Sequence, residues 1–202
     1  MTAEPDQDNA ASGSGDPTYA YKPSLIGAPC QFTLKPDALH WQIGRRAGRL
    51  RYDRVRHVRL SYRPVTMQSQ RFVTEIWSSD NPKIQIASVS WRSLVEQQRL
   101  DAAYAAFIAE LHRRLAAAGT TAQFSAGMPV AVYWIGVSVF AAVMAAMGVL
   151  TVRAMQAGQW SGAGIVGLFF VVFAYQLGNY FRRNRPGQYR PDTLPANVLP
   201  RV

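Results

Sequence analysis

"GRLRYDRVRHVRLSY", residues 48–62, decides how the first half of this chain folds. Leu50 and Tyr52 alternate with Arg49 and Arg51. After a short irregular step, Val58, Leu60 and Tyr62 alternate with His57, Arg59 and Arg63 just beyond. A period of two belongs to a strand half-buried in an antiparallel sheet, so the apolar set faces a core and the arginines face outward. Widening the window to residues 43–63 gathers eight arginines against one aspartate. Arg45 and Arg46 fall in the turn "GRRAG", and Arg59 and Arg63 on the outer phase of their strand.

The same alternation runs to either side. Phe32 and Leu34 in "QFTLKP", then Leu39, Trp41 and Ile43 in "ALHWQIG", predict two earlier strands; "RFVTEIWSS" and "KIQIASVSW" predict two later ones joined at the turn "SDNP". From residue 93 the period changes. Ser93 and Glu96 form a capping-box pattern, and Leu100, Tyr104, Phe107, Ile108, Leu111 and Leu115 make one apolar stripe at helical spacing up to Gly119. Residues 30–118 thus read as a sheet or barrel covered by one helix. Before them, residues 1–29 carry Glu4, Asp6, Asp8 and Asp16 against Lys22, have no apolar run of signal-peptide length, and read as a disordered acidic tail.

The strand series, the stretch with Leu50, Tyr52, Val55, Val58 and Leu60, and the closing helix together resemble a bacterial pleckstrin-homology (PH)-like domain. That resemblance implies an α+β unit, a small antiparallel β-barrel or sheet capped by a C-terminal helix, that binds rather than catalyses. Membrane proteins joining such a domain to two transmembrane helices are a recurring bacterial arrangement, and this chain is similar to them.

Residues 129–152 and 160–180 contain no charged side chain. As a helix the first would reach about 36 Å at ~1.5 Å per residue, enough to cross a hydrocarbon core. Only seven residues, 153–159, separate the two, which predicts an antiparallel transmembrane hairpin over 129–180. Trp134, Trp160, Tyr175 and Tyr180 lie towards the ends, where amphipathic rings favour the interface. Arg182, Arg183 and Arg185 follow the second span, and the loop holds only Arg153. The positive-inside rule makes those three arginines the topology anchors and puts both termini in the cytoplasm of a bacterial inner membrane. Residues 119–128 are then a linker. The basic tail 181–202, with four prolines in 185–200, is an extended cytoplasmic segment packed on the domain. Gln176 and Asn179 are expected to bond across the hairpin. Ala141/Ala145, Ala142/Ala146, Gly162, Gly164 and Gly167 should let the helices approach closely.

Function classes narrow accordingly. The spans hold no Asp, Glu, Lys, Arg or His, the groups that mark ion and proton paths, so an accessory subunit of a transporter or channel assembly ranks second to a non-catalytic, membrane-anchored binding or scaffolding module. His40, His57 and His112 have no metal-ligand spacing, and no cofactor is implied. The single cysteine, Cys30, excludes an internal disulfide or a cysteine metal cluster and reads as a packing residue. Nucleic acid is disfavoured, because no helix-turn-helix, zinc-finger or ribonucleoprotein motif accompanies the arginines. A nearer polyanion is the bilayer itself, which attracts juxtamembrane arginines by about 1 kcal/mol each. Arg45, Arg46, Arg59 and Arg63 are therefore the candidate contacts to anionic lipid head groups or an acidic protein partner. Self-assembly into a homo-oligomer is compatible with the hairpin.

Overall fold

The structure, a computed structural model, describes residues 15–64, 70–93 and 96–200. Among these the chain is a mixed α+β protein with two sheets, a two-stranded ribbon, one helix that packs into the sheet domain and two long apolar helices.

The first sheet is an antiparallel meander of β1 (Thr18–Tyr21), β2 (Cys30–Leu34), β3 (Ala38–Ile43) and β4 (Arg46–Arg51). Its inner face carries Phe32, Leu34, Leu39 and Leu50, all within 1% of full burial. Trp41 lies flat across Gly48, its register partner; any side chain there would collide with the indole. The second sheet has the order β11 (Gly187–Gln188), β10 (Gln123–Ala126), β5 (Val55–Tyr62), β6 (Phe72–Ser78), β7 (Ile84–Ala87). At its centre β5 and β6 pair antiparallel, with Val58 opposite Ile76 and Leu60 opposite Thr74 facing the core; β7 extends β6. The alternation read in residues 48–62 is the one the structure uses: Leu50, Tyr52, Val58, Leu60 and Tyr62 are buried. Helix α1 (Asp101–Ala117) sets Tyr104, Phe107, Ile108, Leu111 and Leu115 into the same core, and the Tyr104 and Thr74 hydroxyls bond at 2.6 Å.

Three boundaries differ from expectation. The disordered tail expected over residues 1–29 does not extend to its end, for "TYAY" forms β1. Tyr19 and Tyr21 enter the core and donate their hydroxyls to the Ala87 and Gln85 carbonyls at 2.6 and 2.7 Å. Asp16 pairs with Lys35 at 2.6 Å; Glu4, Asp6 and Asp8 lie outside the described residues. The helix starts at Asp101 instead of Ser93, because the Glu96 carbonyl accepts the Arg92 and Ser93 amides and closes a ribbon of β8 (Val89–Trp91) and β9 (Gln97–Arg99). The linker 119–128 contains β10 (Gln123–Ala126), parallel to β5 with Phe124 and Ala126 inward. The tail is extended and packed on the domain. β11 (Gly187–Gln188) pairs with β10, the Tyr189 amide donates to the Phe124 carbonyl, and Val198 is fully buried.

Helices α2 (Val130–Gln156) and α3 (Trp160–Arg183) are long and apolar enough to cross a membrane, with mean hydropathies of 2.3 and 1.6. They run slightly past the expected ends at residues 152 and 180. Their contact is aromatic at one end: the Phe181 ring lies on Gly136 and against Tyr133 and Phe140. Of the expected small-residue seam, Gly167 meets Thr151, but Ala141, Ala142, Ala145 and Ala146 point outward. Asn179 accepts a bond from Arg182 on its own helix and does not reach across.

Candidate functional site

The sheet and the hairpin meet around Asn184. Asn184, fully buried, ends α3. Its side-chain Oδ1 accepts the Tyr62 amide at 3.1 Å, its carbonyl accepts the Met128 amide at 3.0 Å, and its Nδ2 donates to the Tyr180 carbonyl at 3.3 Å. Gly127 donates to the Leu60 carbonyl at 2.8 Å and runs so close to the Asn184 carbonyl, at φ +78°, that only glycine fits. Both helices are thereby bonded to the end of β5, where residues 119–128 were expected to form a linker.

The outer face of β10–β5–β6 lies beside this junction. Strand register puts Ser125, Arg59 and Glu75 in one row and Gln123, His57 and Trp77 in the next. Glu75 is 2% exposed, and a buried carboxylate is tolerable only when compensated. Arg63 meets its Oε2 at 2.8 Å and Lys83 its Oε1 at 2.9 Å. Trp77 stacks on His57 with centroids 4.9 Å apart, and the Arg59 guanidinium lies 5.2 Å from its centroid, a cation–π distance. His57 Nε2 is 2.6 Å from Ser125 Oγ. Partial burial, then the charge of Arg59, pulls the His57 pKa below its ordinary value. A base beside a hydroxyl is half of a hydrolytic constellation. Among the described residues, however, no carboxylate hydrogen-bonds the other ring nitrogen to orient it.

Partners sort the arginines of residues 43–63 into two groups. Arg49, Arg51, Arg54 and Arg63 pair with Asp37, Asp53, Asp80 and Glu75. Among the described residues, Arg45, Arg46, Arg56 and Arg59 have no carboxylate within 4 Å. The four candidate contacts do not share one strand face: Arg45 and Arg46 are exposed at the β3–β4 turn of the first sheet, whereas Arg59 and Arg63 follow one phase of β5 and its end. Of the topology anchors, Arg183 lies over the Tyr62 ring at 5.0 Å and, with Arg182, lines a cleft of about 590 Å³ beside Phe72 and Asn197. Arg185 is exposed.

Two features had no usable signal in the sequence. Asn184 is one polar letter among arginines. His112, on the apolar side of α1, is fully buried between the Ile108 carbonyl, 2.7 Å from Nδ1, and the Tyr189 hydroxyl, 2.9 Å from Nε2. Burial lowers its pKa to about 4, so the ring is neutral, donates from Nδ1 and accepts from Tyr189, fastening the tail to the domain. Cys30 is buried, which raises its thiol pKa, and among the described residues no three of His, Cys, Asp or Glu gather as a metal site. The chain matches no family model, no curated protein and no solved structure.

Proposed function

We propose that this chain is a bacterial inner-membrane protein whose PH-like domain is held rigidly at the cytoplasmic leaflet, where it acts as a non-catalytic binding or scaffolding module. The observation that carries the reading is the junction. β10 leads into α2 through Gly127 and Met128, α3 returns through Asn184, and both bond to β5, with Arg182, Arg183 and Arg185 beside them. An anchor alone would tolerate a loose tether; a hydrogen-bonded one orients a particular domain face towards the bilayer. The PH-like assignment is supported by the order of elements: four antiparallel strands, three more, then one helix whose apolar stripe fills the core. β8–β9, β10 and β11 are additions to that plan.

Alkaline carbonate extraction and reconstitution test this. The full chain should stay with bacterial membranes in carbonate. In vesicles of stepped anionic-lipid content, amides around Arg59, Arg182 and Arg183 should exchange more slowly as anionic lipid increases. The effect should fade as added salt shortens the reach of surface charge towards about 8 Å. Release by carbonate, or exchange indifferent to lipid charge, would overturn the proposal.

A further inference from the structure

Between β10 and the first turn of α2 lies a cavity of about 260 Å³, lined by His57, Arg59 and Ser125 on the sheet side and by Met128, Pro129 and Val130 on the helix side. We propose that it binds the phosphate and glycerol of one anionic phospholipid. The inference rests on the membrane reading above, which sets the start of α2 at head-group depth.

The lining divides as such a ligand divides. Arg59 supplies a guanidinium, whose planar fork of donors matches phosphate oxygens. Its position is set by the Trp77 ring at 5.2 Å and by Ser125, 3.5 Å from its Nε. Glu75, directly opposite Arg59 in the strand register, is already held by Arg63 and Lys83. No carboxylate among the described residues lies within 4 Å of Arg59 to compete with an incoming anion. Ser125 and His57 add hydroxyl and imidazole groups beside it. Across the cavity, Met128, Pro129 and Val130 present an apolar wall continuous with the hairpin surface, where Val130 is 62% exposed. A free phosphate ion would use only the sheet side; a phospholipid uses both.

The full chain in mild detergent, titrated separately with phosphatidylglycerol, phosphatidylcholine and inorganic phosphate and read by native mass spectrometry, tests the site. One phosphatidylglycerol should be retained in preference to phosphatidylcholine, and inorganic phosphate should not displace it at matched concentration. Arg59→Gln should weaken retention about tenfold, ~1.4 kcal/mol. Met128→Glu, which brings a carboxylate to the mouth, should do the same. Arg49→Gln, whose parent side chain pairs with Asp37 on the first sheet and does not line the cavity, should stay within about twofold. Circular dichroism of each variant reports that the fold persists. Equal retention by the parent, Arg59→Gln and Met128→Glu would overturn the site while leaving the membrane reading intact. Displacement by inorganic phosphate would assign the cavity to free phosphate and overturn the lipid. A parent without preference for phosphatidylglycerol overturns the site too, and carbonate extraction then judges the membrane reading separately.

Discussion

Leu60 and Leu168 are the same side chain in opposite surroundings. Leu60, in β5, is fully buried in the core of the sheet domain; Leu168, in α3, is 65% exposed. The contrast holds for whole regions. The sheet domain buries its large apolar side chains against one another, while Val139, Val149, Ile165, Phe169 and Val171 of the hairpin all face outward. Apolar surface on that scale is stable only in an apolar medium. The domain therefore carries its own core, whereas the hairpin needs one supplied from outside, which we propose is lipid.

The comparison is broken most forcefully by truncating both leucines. Leu60→Ala should cost about 2–5 kcal/mol, the range for a buried leucine lost to a cavity. Leu168→Ala in the reconstituted chain should stay within about 0.5 kcal/mol, because lipid replaces the lost contacts. Denaturant titration of the reconstituted protein reads both, and equal losses would erase the distinction.

The next effect is pH-dependent and belongs to the domain alone. His112 titrates near 6.5 in an unfolded chain and near 4 when folded. The folded state thus binds its proton less readily, and stability is full above pH ~6.5 and falls as pH drops towards 4. The loss reaches about 3 kcal/mol. Melting temperature followed across that window should show the decline, and His112→Asn should flatten it. A parent curve that does not fall would mean the ring is not buried against Tyr189.

At the junction the two regions share Asn184. Asn184→Ala leaves the Tyr62 amide without its buried acceptor, at a cost of about 1–3 kcal/mol. Hydrogen exchange should quicken at Tyr62 more than at Phe32 in the first sheet. Uniform acceleration would show that the domain and hairpin unfold together without a local latch. The smallest effect is on the outer face: Arg63→Gln should cost no more than about 1 kcal/mol, since Lys83 still compensates Glu75.

Much of this architecture was legible because it rests on periodicity. The two-residue alternation around Leu50 and Leu60, the stripe from Tyr104 to Leu115 and the charge-free spans each repeat a physical constraint many times. What was hidden rests on single residues or very short elements. "TYAY" and "QFSA" are four residues each, too brief for a pattern, yet both enter sheets. Ser93 and Glu96 match a helix start locally, but pairing of residues 97–99 with 89–91 prevails. The candidate site was legible by half: the outward phase of Arg59 and Arg63 follows from alternation, but capture of Arg63 by Glu75 depends on which strands become neighbours. The hairpin seam was misread because small residues mark close approach only on the face that meets the partner. Here that contact falls at Gly136 and Gly167 and leaves the alanines outside.

The central claim is that α2 and α3 cross a membrane with the sheet domain and the tail on one side. Cysteine accessibility tests it most directly. In a Cys30→Ala background, Ala157→Cys in the hairpin loop and Asp192→Cys in the tail are each treated with a membrane-impermeant maleimide, in intact bacteria after outer-membrane permeabilisation and again after lysis. Labelling of Ala157→Cys before lysis, with Asp192→Cys reacting only afterwards, is the expected result. Labelling of Asp192→Cys in intact cells would reverse the orientation, and protection of both positions until lysis would contradict the crossing itself.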